Sequence, residues 1–255
     1  MTMELVNHSC EPRDFHSHLV GIAGIRAASS LLDVGCGTGQ TIMAAAPMAD
    51  RIVGVDNNKN ALDTARQVAS DLTGDCSIEL LEIDLNSQHL PFQEAVFDCV
   101  ICQNVLECIE DKQQLIDHCH RVLKPGGIFL LAHHDFGGVM LSGSDAVLTR
   151  EIVAAYADEE QGWMAAADAE IGRKLPGIMQ SSKFSAMKTE TRQLVGLSYD
   201  NSSYAYNYCA DASKAAIRSG ANETKIRNWL GELAELDRWM AFYFSIPWVY
   251  VRAVK

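Results

Sequence analysis

The chain is predicted to fold as a doubly wound α/β protein, and three observations predict it. Short unbroken apolar runs recur through residues 30–136: "SLLDVG", "RIVGVD", "SIELLEID", "FDCVICQNV" and "GIFLLAHHDF". Helical patterns separate them, and continuous apolar strands that alternate with helices imply a parallel sheet covered on both faces. The first run also ends in a glycine cluster, "GCGTG", where backbone without Cβ atoms lets a ligand come close.

The elements follow in order. "SLLDVG" is a short buried strand, and "TGQTIMAAAPMA" is a helix made irregular by Pro47. After the strand "RIVGVD", Asn57 or Asn58 caps a helix in which Ala61, Leu62, Ala65, Val68, Ala69 and Leu72 recur at helical spacing. Gly74 suits its end. "SIELLEID" and "FDCVICQNV" are the third and fourth strands. A helix over 111–123 stops at the breaker "KPGG", and "GIFLLAHHDF" is the fifth strand. Beyond Gly137 and Gly138 the pattern changes. Residues 144–180 read as helical, with Ser144 as cap and Val147, Leu148, Ile152, Ala155 and Tyr156 apolar. "TETRQLVGLSY" reads as a strand. Residues 202–219 and 222–238 read as helices, and "FYFSIPWVYVRAV" as a closing strand. The expected organisation is an N-terminal cap segment (1–29), an α/β core (30–136), a helical lid or substrate region with a sixth strand (137–239), and a final core strand (240–255).

The totals narrow the function. Of 255 residues, 48% are hydrophobic and 21% charged, values of a soluble domain with a substantial core. The formal net charge of −12 leans against nucleic acid or anionic membrane as the main partner. The start lacks the apolar stretch of an export signal, and no run approaches the roughly 18 apolar residues of a spanning helix. A cytoplasmic location is expected, with the eight cysteines as reduced thiols.

The glycine loop separates the candidate ligands. A dinucleotide fingerprint needs glycine at its first, third and sixth positions. Counting from Gly35, Gly37 is third, but the sixth residue is Gln40, and Gly39 stands fifth. No Gly-Lys-Ser/Thr follows, so the phosphate-loop pattern fails as well. Asp56, which ends "RIVGVD", is placed to accept hydrogen bonds from ribose hydroxyls. In "IDLN" the Asp84 carboxylate is able to accept from an adenine amino group, and the Leu85 N–H to donate to a ring nitrogen.

With "LLDVGCGTG", "GVDNN", "IDLN", "FDCVICQNVLECIED" and "RVLKPGGIFLLAHH" in order, the chain resembles the class I S-adenosylmethionine-dependent methyltransferases. The resemblance is strong over residues 30–136 and loose elsewhere. It implies a seven-stranded sheet with the last strand antiparallel, helical insertions forming a lid, and S-adenosylmethionine as cofactor. By resemblance, Gly35, Cys36 and Gly37 line the methionine part, the Gln103 carbonyl receives the amino group, and Asp33 orients the tail. Gly39 and Asn57 complete the expected cofactor set.

Other residues invite sharper readings. Cys99 and Cys102 form a C-x-x-C, but in a strand residues three apart point to opposite faces, so no metal is expected. His118 and His120 are expected at the surface, and so are His16 and His18. His133 and His134 end the fifth strand beside the expected methyl group. At most one should face the pocket, where its near-neutral pKa suits a general base. Tyr199, Tyr204, Tyr206, Tyr208, Trp229, Trp239 and Trp248 crowd the second half as packing, some of them around an apolar substrate pocket. The expected reaction moves a methyl group to an O, N or C nucleophile of a small organic molecule by in-line displacement, releasing S-adenosylhomocysteine. The alternatives are a protein that binds the cofactor without transferring methyl, and a nicotinamide oxidoreductase, which Gln40 disfavours. Methylation of protein or nucleic acid is also open, nucleic acid being the weaker of the two.

Overall fold

Strands form where the apolar runs lie. In the computed structural model, which describes residues 9–10, 14–25, 29–72, 74–162 and 164–255, they are β1 (Ser9–Cys10), β2 (Ser29–Val34), β3 (Ala49–Asp56), β4 (Ser77–Glu82), β5 (Phe97–Gln103), β6 (Leu123–His134), β7 (Met140–Leu141), β8 (Ser185–Gly196) and β9 (Phe244–Val254). The helices are α1 (Phe15–Ala23), α2 (Gln40–Ala45), α3 (Lys59–Ser70), α4 (Lys112–Val122), α5 (Ala146–Ala157), α6 (Ile171–Met179), α7 (Tyr204–Arg218) and α8 (Glu223–Arg238). The expected cap segment 1–29 lies partly outside the described residues.

The sheet runs β1-β8-β9-β6-β5-β2-β3-β4, with β7 paired to β9 off this path. β9 is antiparallel to β6, β7 and β8, while the remaining described pairs are parallel. Seven strands were expected, and eight stand along the path. The surplus is the two-residue β1, which pairs with Gln193 and Leu194. So short a strand carries no periodicity for sequence reading to detect.

Alternation along the strands builds two cores. Leu31, Ile52, Cys99, Ile101, Leu130 and Trp248 pack on one face. Leu32, Val53, Val100, Cys102, Phe129 and Val249 pack on the other. Cys99 and Cys102 therefore lie on opposite faces. The same alternation sends Asp33 and His134 toward the first core and His133 toward the second.

Helix starts show where local chemistry decides. Asn58, not Asn57, caps α3 by accepting from the Ala61 N–H at 3.2 Å. α3 ends at Ser70, before Gly74. Ser144 is not the cap expected for α5. Asp145 caps it, accepting from Val147 and Leu148 at 3.1 and 3.0 Å, because its carboxylate reaches two N–H groups. The helix expected over 144–180 is two helices, α5 and α6, separated by an irregular segment. "KPGG" lies inside β6 and not before it, with α4 ending at Val122. His118 and His120 are half-buried, not exposed, since their rings pack against His89 at 4.5 Å and Phe184 at 4.9 Å.

The central strand β5 carries the fold's cohesion. Ile101→Ala removes a fully buried side chain and is expected to cost about 2–5 kcal/mol in urea unfolding at neutral pH. A loss below about 1 kcal/mol would mean that the first core does not close over β5 as described.

Candidate active site

β2, β3, β4 and β5 all end on the same side of the sheet, the side on which ligands of open α/β sheets bind. A cavity of about 350 Å³ opens there, within the roughly 300–1,000 Å³ of small-molecule sites. The glycine loop makes one wall. Gly35 has φ +72°, and a Cβ added there would lie 2.3 Å from a methyl group of Val105. Gly37 has φ +51° and nothing within 4 Å of its Cβ position, so its backbone faces the opening. Gly39 is not on the wall. At φ +87° it starts α2, and its missing Cβ lets Ala65 of α3 approach to 3.2 Å.

Asp56 joins the loop to the sheet. One carboxylate oxygen accepts from the Gly37 N–H at 2.8 Å and the other from the Asn58 N–H at 2.8 Å. Asp84 stands opposite, accepting from the Asn86 N–H at 3.0 Å and the Ser87 hydroxyl at 2.8 Å. A carboxylate offers about four acceptor positions, so both acids keep capacity toward the cavity. Asn86 closes the far side: its amide donates to the Cys108 carbonyl at 2.8 Å and accepts from the Glu110 N–H at 3.0 Å. Of the expected cofactor residues, Gly35, Gly37, Asp56, Asn57, Asp84 and Leu85 line this cavity.

Cys36, Asp33 and Gln103 do not line it. Cys36 is buried beneath the loop, where its sulfur would lie 2.8 Å from a Cβ on Gly54. Burial and the nearby Asp33 and Asp56 charges push its thiol pKa well above the ordinary range. Asp33 is buried, and one of its carboxylate oxygens has no hydrogen-bond partner. Burial first, then the Asp56 charge, raises its pKa to about 7. The Gln103 side-chain amide nitrogen is likewise buried without a partner.

Four residues that sequence reading missed matter as much: Asn104, Val105, Asn86 and Glu107. Asn104 follows β5 in a left-handed conformation, φ +52°. Of the cavities described, none is lined by His133 or His134, yet each histidine touches one residue of the cofactor cavity's wall. The Asn104 amide donates to His134 Nδ1 at 2.6 Å and accepts from the His134 N–H at 2.9 Å. His134 is pressed against Phe15 and neighbours Trp248 across the β6–β9 pair. Burial first, then His133 and His16, lowers its pKa to about 3, so it stays neutral.

His133 works on the opposite face. Its Nδ1 lies 2.8 Å from the His134 carbonyl, which only accepts, so Nδ1 carries a proton. Nε2 meets a carboxylate oxygen of Glu107. Both partners are buried, and Glu107 lines the cavity. Behind them α6 is held tightly against the end of β6. The Arg173 guanidinium grips the Asp135 carboxylate at 2.8 and 2.5 Å, and a Cβ on Gly172 would meet the His133 carbonyl at 3.2 Å. His16 is half-buried, its Nδ1 bonded to the Thr41 hydroxyl at 3.0 Å, and burial lowers its pKa to about 4. His18 is bonded at 2.9 Å to the Asp14 carbonyl of its own helix. Among the cavities described here, the seven tyrosines and tryptophans of the second half line none, while Phe136 and Tyr156 do line them.

Three acidic residues, Asp56, Asp84 and Glu107, line the 350 Å³ cavity, and among the described residues no lysine or arginine does. Such a wall repels phosphate and suits a ligand rich in hydroxyl and amino donors or positive charge. The residues thus fit an adenosine whose tail is cationic.

Comparison with known proteins agrees with this geometry. Residues 32–131 match a family model described as a methyltransferase domain. The chain is 30% identical over 117 residues to the uncharacterized methyltransferase YcgJ of Bacillus subtilis, covering 46% of this chain and 45% of that one. It is 32% identical over 109 residues to a demethylmenaquinone methyltransferase of Oceanobacillus iheyensis, covering 40% and 43%. The chain spans less than half the length of these curated relatives. The crystal structure of YcgJ superposes with a TM-score of 0.58 at 19% identity, covering 94% of this chain and 98% of the other. That of the [4+2]-cyclase SpnF superposes with 0.57 at 17%, covering 95% and 81%.

Two outcomes check the loop and its buried acid. Gly35→Ala meets both strain and collision and is expected to lower stability by more than about 2 kcal/mol, whereas Gly37→Ala meets only the φ strain, about 1 kcal/mol. Equal losses in thermal unfolding would contradict the packing against Val105. For Asp33, a folded pKa above the unfolded one means that the folded state holds the extra proton. Its contribution is therefore lost as pH rises from about 4 to about 7. Relative to the wild type, Asp33→Asn should gain stability steadily across that window. A pH-independent difference in urea unfolding would show that Asp33 is not buried as described.

Proposed function

Residues 32–131 match a methyltransferase domain model, and from that match we infer that the chain moves the methyl group of S-adenosylmethionine to an O, N or C nucleophile of a small organic molecule. The observation that carries the reading is the cavity wall: carboxylates beneath a glycine loop, with no cationic side chain among the described residues that line it. Asp56 holds the ribose hydroxyls, Asp84 the adenine amino group, and the Leu85 N–H a ring nitrogen. The backbone of Gly35 and Gly37, the Gln103 carbonyl and the buried Asp33 serve the methionine end, with Asn57 at the rim. The cofactor supplies a methyl group on a positively charged sulfur.

The remaining chemistry belongs to this chain. Alignment of the nucleophile and exclusion of water supply several kcal/mol of barrier reduction. Glu107 takes the proton of a hydroxyl or amine as its lone pair attacks, a role that adds a factor of roughly 10²–10⁴. His133, buried behind Glu107, fixes and shares that proton, so its part is positioning. His134 acts on Asn104 and not on substrate. The acidic overall balance favours a small acceptor over nucleic acid. The buried free thiols of Cys36, Cys99, Cys102 and Cys119 suit a cytoplasmic location. A cyclase sharing this fold shows that architecture alone does not fix the reaction. Binding of the cofactor without methyl transfer is therefore the second reading, and loss of label from methyl-labelled cofactor to an acceptor decides between them.

Calorimetric titration with S-adenosylhomocysteine and NAD in parallel tests the site. Binding of the first in the micromolar range and none of the second is expected. Asp56→Asn should weaken it by about tenfold or more while the far-UV spectrum is retained. Unchanged affinity in a folded Asp56→Asn variant would remove Asp56 from the site.

A further inference from the structure

We infer that the acceptor has two parts: an amine or alcohol nucleophile seated against Glu107, and an apolar body lodged under α5. The inference rests on the methyl-transfer reading above and adds the substrate class.

Three cavities share lining residues. Glu107 lines both the cofactor cavity and a chamber of about 150 Å³. Phe136, Ala157, Asp168 and Ala169 line both that chamber and a third cavity of about 720 Å³. A molecule whose reactive end touches Glu107 in the chamber reaches the third cavity past their shared residues Phe136 and Ala157. Phe136, Val139, Leu141, Val153 and Ala154 make an apolar part of the third cavity's wall, while Arg150, Asp158, Asp168 and Glu170 line it with charge. The chamber has about the volume that holds a benzene-sized group. A longer acceptor extends along the apolar residues of the third cavity, whose size falls in the ordinary range of ligand sites.

Charge selects the reactive end. Three carboxylates line the chamber, and two are already neutralised. Glu159 receives Arg218 at 2.6 and 2.7 Å, and Asp168 receives Lys174 at 2.7 and 2.8 Å. The Glu107 carboxylate meets only an imidazole there, that of His133, and among the described residues no lysine or arginine lines the chamber. A buried carboxylate so placed favours a group that brings a proton to it, and disfavours a carboxylate or phosphate. As the nitrogen or oxygen lone pair forms the new bond to the methyl carbon, the carbon–sulfur bond breaks. Its electron pair stays on sulfur, and the nucleophile's proton passes to Glu107.

The test titrates n-alkylamines from propyl to decyl, and n-alkanoates of matched length, into the protein saturated with S-adenosylhomocysteine. Amine affinity is expected to rise about fourfold per methylene until the cavity is filled. Alkanoates should bind at least about tenfold more weakly, the gap narrowing in Glu107→Gln. Ala154 is exposed on the α5 face of the cavity, so Ala154→Trp fills it without burying a bulky side chain in the core. That variant should flatten the chain-length series and leave S-adenosylhomocysteine affinity unchanged. Amine affinity independent of length, no amine binding at all, or a series unaltered by Ala154→Trp would overturn the inference while the cofactor reading stands. Failure of S-adenosylhomocysteine to bind would instead overturn the reading on which it rests.

Discussion

One carboxylate holds the site together. Asp56 ends β3 and accepts from Gly37 in the loop after β2 and from Asn58 at the start of α3. Two strands, a loop and a helix are thereby fixed to one another at the rim of the sheet. Asn58, held by its N–H, is free to cap α3 with its side chain. The loop must then turn through three left-handed glycines, and the Val105 methyl fills the space that a side chain on Gly35 would need. The cavity follows from this constraint: the loop backbone cannot fill the gap between Asp56 and Asp84, so a ligand can.

The core of the fold was legible because its strands are buried on both faces and read as unbroken apolar runs. Their order, and the reversal of β9, came from the resemblance of five motifs and not from periodicity. The region expected as a lid was less legible. Residues 158–170 contain no repeating apolar face, and a helical pattern read across them joins α5 and α6 into one. The two-residue strands β1 and β7 give no signal at all.

At the site the pattern is similar. Gly35, Gly37, Asp56 and Asp84, read from short motifs at strand ends, border one cavity. Cys36 was misplaced because adjacency in a loop says nothing of which way a side chain turns, and Gly54 leaves room for its sulfur inside. Strand alternation did place His133 and His134 on opposite faces. What it could not supply was Glu107 or Asn104, whose roles depend on residues 26 and 30 positions further along the chain. A lone acid in "NVLEC" has no local signature. Its meaning comes from β6 lying beside β5.

Under the proposed function, direction decides: the methyl donor must point toward Glu107, which lines both the cofactor cavity and the chamber. A crystal structure with S-adenosylhomocysteine bound measures this most directly. The account predicts the adenine against Asp84, the ribose on Asp56 and the sulfur facing Glu107, on the side of the chamber. A sulfur turned toward Asn58 and Ala61 at the opposite rim would contradict it.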